Sequence, residues 1–183
     1  RIARASRQSS DITTALLHLV RAERGTTPES RARNVGEIVE EVAELHRPLI
    51  GAKELSIEVV HEEKLSVIAP EAVIAVTVGN LLGNAIRYTP AGKVTLTVTR
   101  GRVVIQDTGP GIAPQDLPKV FDRHFRGQSA DGKGAGLGLA IVKRLCELYG
   151  WRIHFSSPDS GGLCAEIEFY PERRGAVIQT QAP

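Results

Sequence analysis

Two asparagines stand four residues apart in the run Asn80-Leu-Leu-Gly-Asn84-Ala-Ile-Arg87. On a helix, Asn80, Asn84 and Arg87 share one stripe, roughly opposite Val78, Leu81, Leu82 and Ala85. Two amide carbonyl oxygens on one stripe can ligate a hard cation. Mg²⁺ held jointly with substrate phosphates suits such donors. Taken alone, the same stripe fits a solvated polar face better than a metal site.

Asp107-Thr-Gly109-Pro-Gly111-Ile112 follows a strand-like segment. An aspartate leaving a strand into two glycines can sit on a pocket floor and accept from an exocyclic amine. The glycines let backbone approach closely. An ordinary Asp-Gly turn has the same sequence. A third element, Gly132-Lys133-Gly134-Ala135-Gly136-Leu137-Gly138-Leu139, enters a helical pattern. Alternating glycines at a helix N-terminus expose successive N–H groups, a cradle for phosphate. No Gly-Lys-Ser/Thr follows at P-loop spacing, and no strand leads directly into it as in a dinucleotide fingerprint.

These residues need elements to hold them. A first helix is expected over Ser6–Arg24, with Ile12, Leu16, Leu19 and Val20 as its stripe; Gly25-Thr-Thr-Pro28 then reads as a linker. A second starts at an Asn34 N-cap, with Ile38, Val42, Leu45 and Leu49 as its stripe and Pro48 as a bend. Leu55–Val60 and Leu65–Ala69 read as strands. Pro70 opens a long helix to about Tyr88. Lys93–Thr99 and Arg102–Gln106 form a hairpin around Arg100-Gly101. A helix over Ala135–Tyr149 ends at Gly150, and strands follow over Arg152–Ser156 and Leu163–Phe169. Short turns between neighbouring strands imply mainly antiparallel pairing. Helices on one sheet face then give an α/β two-layer sandwich.

Composition narrows the class. The 183 residues are 42% hydrophobic and 24% charged with net charge +2, as in a globular domain. That charge is too small to argue for bulk nucleic-acid binding. Residues 1–33 carry net +4 (seven basic, three acidic) and residues 34–64 net −5 (three basic, eight acidic). The longest uncharged run, Ala72–Ile86, is 15 residues, short of a membrane span. Cys146 and Cys164 form no metal or disulfide pattern and read as reduced packing cysteines. With no signal peptide and no Met, the chain reads as part of something longer.

Together, in this order, the three motifs resemble the catalytic ATP-binding domain of sensor histidine kinases, in the GHKL ATPase superfamily. Asn80–Pro90 looks like its asparagine box and Asp107–Ile112 its first glycine box. Val120-Phe-Asp-Arg-His-Phe-Arg126 looks like its phenylalanine box, and Gly132–Leu139 its second glycine box. Gly161-Gly162 and Glu166-Ile-Glu-Phe-Tyr-Pro171 resemble its closing strand. The resemblance spans 34–171 and implies a Bergerat-type fold. It leaves 1–26 as the second helix of a dimerisation hairpin and 172–183 as a tail.

The resemblance also implies roles. Asn84, with Asn80 beside it, would ligate Mg²⁺, and Asp107 would bind the adenine amino group of ATP. Tyr88 and Ile112 would border the base, next to Gly109 and Gly111. Arg87 and Arg126 would face phosphates. Gly134, Ala135, Gly136, Leu137, Gly138 and Leu139 would line the phosphates, donating backbone N–H groups. Ala113–Ala135 would be an ATP lid. Gyrase-like relatives carry a water-activating Glu where this chain has Asn80. An amide cannot take a proton from water, so transfer to an imidazole is favoured over hydrolysis.

No histidine here has the expected acceptor context. His18 precedes Leu-Val-Arg and His46 precedes Arg-Pro-Leu. The acceptor helix would therefore lie upstream of Arg1. The implied partners are that dimerisation domain, a second copy in the whole protein, and a response regulator. The implied location is the cytoplasmic side of a membrane-anchored bacterial sensor. The alternatives are an anti-sigma-type Ser kinase, a pyruvate-dehydrogenase-type kinase, or a nucleotide-sensing module without catalysis.

Overall fold

The computed structural model describes residues 31–121, 137–158 and 161–169. The expected helix over Ser6–Arg24, the linker, residues 122–136 with Arg126 and Gly134–Gly136, and the tail lie outside the described residues. So does the larger part of the expected lid.

Five strands form one sheet in the order β2-β4-β5-β7-β6: β2 (Glu54–His61), β4 (Ala91–Thr99), β5 (Arg102–Asp107), β7 (Cys164–Glu168) and β6 (Arg152–Ser156). Three of its four pairings are antiparallel, as short turns dictate, while β2 and β4 run parallel with Ile57 beside Val94. Residues alternate across the sheet. Val94, Leu96, Val98, Val103, Ile105, Ala165 and Ile167 point into the core, whereas Arg102, Gln106, Arg152 and His154 are exposed.

Among the described residues, three helices supply the second layer: α1 (Val35–His46), α2 (Glu71–Tyr88) and α3 (Gly138–Tyr149). Asn34 caps α1 as expected, its side chain accepting from the Gly36 N–H at 3.1 Å. Pro48 does not bend α1. The helix stops at His46, and a 3₁₀ turn carries the proline over Arg47–Leu49. Gly150 ends α3 in the left-handed region, φ 71°. α2 lies between α1 and α3 and against the sheet. Its buried set (Val73, Ile74, Val76, Thr77, Val78, Leu81, Leu82, Ala85, Ile86) is therefore wider than one stripe.

The segment at 65–69 joins a partner the sequence did not reveal. β3 (Ser66–Ile68) pairs antiparallel with β1 (Ala32–Asn34) in a separate two-stranded sheet. Residues 62–65, including Glu62, Glu63 and Lys64, thus lead out of the main sheet rather than closing a hairpin back onto β2.

Candidate functional site

The C-terminal end of α2, the end of β5 and the start of α3 converge. β5 delivers Asp107 to this point, where the carboxylate is 5% exposed. Its Oδ1 accepts the Gly109 N–H at 2.8 Å and the Leu163 N–H at 3.2 Å, and the Asp107 N–H donates to the Leu163 carbonyl at 2.9 Å. Burial pushes the Asp107 carboxyl up from its ordinary range, and the Gly109 and Leu163 N–H groups oppose that rise. Both of these hydrogen bonds go to Oδ1, so Oδ2 is the oxygen turned to other donors.

Thr89 lies beside this carboxylate at the end of α2 and is completely buried. Its hydroxyl is close enough to draw the carboxyl down, yet among the described residues it reaches no partner at hydrogen-bond geometry. An unsatisfied buried hydroxyl costs about 1–3 kcal/mol. A small polar ligand, or water accompanying it, would relieve that cost. Gly109 sits against the same wall. A Cβ there would lie 2.9 Å from Asp107 Oδ1, 3.1 Å from the Tyr88 carbonyl and 3.2 Å from Thr89 Oγ1. The Gly161-Gly162 turn closes the far side. Gly162 has φ 83°, and a Cβ on it would run into the Asp107 carbonyl.

The asparagine stripe is not a solvated face. Asn80 and Asn84 are half-buried, and only Arg87 and Tyr88 are exposed. Asn80 Nδ2 donates to the Val76 carbonyl at 2.8 Å, which turns Oδ1 toward the first residue of α3. Asn84 has no hydrogen-bond partner among the described residues. Among the described residues no cluster of three His, Cys, Asp or Glu side chains could hold a metal. The amides fit a cation shared with phosphate oxygens, which needs no carboxylate cage.

Leu137 and Gly138 open α3, and Leu139 packs on the core. Ile112 is half-buried at the rim, its carbonyl accepting from Ser157 Oγ at 3.0 Å. Gly111 lies against Gly162, with φ 70°. At the start of the phenylalanine box, Val120 is buried and the Phe121 ring lies 5.2 Å from that of Phe155. The structure places Asn80 against Gly138, and Tyr88, Thr89, Gly109, Gly111 and Gly162 around Asp107; Asn84 and Arg87 lie between these two groups along α2.

Sequence reasoning missed Thr89 and the Leu163 N–H. Thr89 had a signal, a hydroxyl directly after the helix that carries Asn80, Asn84 and Arg87. The Leu163 N–H had none beyond the preceding glycine pair.

The remaining histidines have structural surroundings. His46 Nδ1 bonds the Val42 carbonyl at 2.8 Å, and its ring lies over Gly79. His61 Nε2 meets Glu40 at 2.9 Å. His154 is exposed on β6. His18 and His124 lie outside the described residues.

A family described as histidine kinase-, DNA gyrase B- and HSP90-like ATPase matches residues 71–174, more than half of the chain. The chain belongs to this family and carries the ATP-binding domain of the sensor histidine kinase type. The sensor protein kinase PmrB of Pseudomonas aeruginosa is 35% identical over 158 residues, 82% of this chain and 30% of PmrB. The sensor-like histidine kinase SenX3 of Mycobacterium tuberculosis is 32% identical over 177 residues, 87% of this chain and 43% of SenX3. Among solved structures, the mycobacterial sensor histidine kinase MprB superposes with a TM-score of 0.67 at 29% identity, covering 75% of this chain and 95% of that one. The chain thus spans less than half the length of these two curated relatives. No helix among the described residues is long and apolar enough to cross a membrane.

Proposed function

We propose that this chain binds Mg·ATP and donates its γ-phosphate to a histidine on a dimerisation helix, for relay to an aspartate of a response regulator. The observation that carries this reading is the Asp107 floor. A buried carboxylate has one oxygen fixed by two backbone N–H groups, with an unsatisfied buried hydroxyl beside it.

In this reading Asp107 accepts from the adenine amino group, with Tyr88 and Ile112 bordering the base and Gly109 and Gly111 allowing it to approach. Asn84, with Asn80 beside it, holds Mg²⁺. Arg87 and Arg126 face the phosphates, and backbone N–H groups over Gly134–Leu139 cradle them. Bound Mg²⁺ would offset charge on the phosphate oxygens.

The chain's own contribution is positioning. Phosphoryl transfer needs the acceptor nitrogen in line with the γ-phosphorus, about 3–3.5 Å away. The nitrogen–phosphorus bond forms as the bond to the bridging oxygen breaks, and ADP leaves. Asn80 offers no base to a competing water, which protects the phosphate for transfer. The domain division remains part of this reading: a dimerisation helix over 1–26, the catalytic domain over 34–171 and a tail over 172–183. So do a homodimeric parent protein and a cytoplasmic location beneath a membrane anchor.

The test is incubation with γ-labelled ATP. The 183-residue chain alone should gain no acid-labile label. Adding the parent protein's acceptor-helix hairpin should place label on that hairpin. Stoichiometric label on the chain alone, lost on His18 or His46 substitution, would move the acceptor into this sequence.

A further inference from the structure

The loop between the 3₁₀ turn and β2 sends one side chain across the fold. Lys53 Nζ donates to the carbonyl of Ile86, to that of Arg87 at 3.0 Å and to that of Thr89 at 2.9 Å. All three acceptors stand at the C-terminal end of α2, more than 30 residues along the chain. A helix end leaves its last carbonyls without partners inside the helix and carries partial negative charge. An ammonium has three N–H donors that can spread over three carbonyls, a geometry a planar guanidinium does not match.

This helix end is also the wall of the site. The Tyr88 carbonyl and the Thr89 hydroxyl lie directly against Gly109, at the distances where a Cβ would not fit. Thr89 borders Asp107. A small movement of residues 86–89 would therefore be felt at the Asp107 floor.

We propose that Lys53 is a positioning residue for nucleotide binding. Its ammonium seats the C-terminal end of α2 so that Tyr88 and Thr89 meet the Asp107–Gly109 floor in register. The proposal rests on the reading of this floor as the base pocket.

The test separates positioning from simple stabilisation by measuring affinity and thermal stability together. ATP and adenosine are titrated calorimetrically into the wild-type chain, Lys53→Met and Lys53→Arg, at a temperature where circular dichroism shows each folded. Lys53→Met should weaken both ligands by about the same factor, on the order of tenfold, because the effect is at the base. Lys53→Arg should fall between. Affinity unchanged in Lys53→Met, with only the melting temperature lowered, would overturn the proposal. If Lys53→Met does not fold, Lys53→Gln is measured by the same criterion. A wild-type chain that binds no ATP would instead refute the nucleotide pocket itself.

Discussion

The Asn80 side-chain oxygen stands 2.7 Å from the point where a Cβ on Gly138 would lie. The two residues belong to different helices and different motifs. Asn80 cannot easily yield, because its Nδ2 is bonded to the Val76 carbonyl at 2.8 Å. The start of α3 approaches α2 this closely because residue 138 has no side chain. Gly138→Ala should therefore cost about 1–3 kcal/mol in denaturant unfolding. In an Asn80→Ala background the cost should shrink, with a coupling of at least about 0.5 kcal/mol. Equal costs in both backgrounds would show that the contact is not tight.

Asp107 sets stability against binding. Its folded pKa is raised above the unfolded value of 3.8, chiefly by burial. The stabilising effect of a raised carboxyl is fully present below pH 3.8 and is lost as pH rises through the folded pKa. Above its folded pKa the wild type carries a buried charge that Asp107→Asn removes, while the amide oxygen can still accept from Gly109 and Leu163. Asp107→Asn should melt higher than wild type at pH 7, with the gap narrowing toward pH 4. In the proposed pocket the same substitution turns an acceptor into a donor, and it should weaken ATP binding by at least about tenfold. A melting gap independent of pH would contradict the burial argument.

Asn84 tests the metal assignment. Asn84→Ala removes a half-buried amide that has no partner among the described residues, so little stability should be lost. Nucleotide affinity with Mg²⁺ should fall more than affinity in EDTA, by calorimetry. Equal losses in the two buffers would take Asn84 out of the metal site.

The thiols bear on packing rather than chemistry. Burial pushes Cys146 up to about 12, with Glu147 adding to the rise, and Cys164 is also raised. Since the thiolate is the reactive form, alkylation of Cys146 at pH 8 should be far slower than that of a free thiol and should appear only with unfolding. Rapid labelling of Cys146 in the folded chain would show that α3 opens locally.

The parts of this architecture that read directly from sequence are those governed by local rules. Asn34 through its side-chain cap and Gly150 through its positive φ mark helix ends at the expected boundaries, whereas Pro70, expected in the first helical turn, stands one residue before it as the cap. The β4–β5 hairpin and the β6–β7 pair follow from alternation and turn residues. Non-local pairing was not legible. Nothing within Leu65–Ala69 says that its partner is 32–34 rather than β2, nor that β2 lies parallel to β4, because those choices are made by how α1 and α2 stack. The candidate site divides the same way. Asp107, Asn80 and Asn84 stand out by residue type and spacing. Lys53 does not, since a lysine in a polar loop carries no sign that it reaches carbonyls more than 30 residues away.

The most direct test is calorimetric titration of Mg·ATP and Mg·GTP into the wild-type chain. In the proposed pocket, the Asp107 carboxylate would accept from the adenine amino group but would oppose the guanine carbonyl at the same position. ATP should bind at a single site, and GTP should bind at least about tenfold more weakly. Equal affinity for the two nucleotides, or no ATP binding by a folded chain, would contradict the assignment of the Asp107 floor as an adenine pocket.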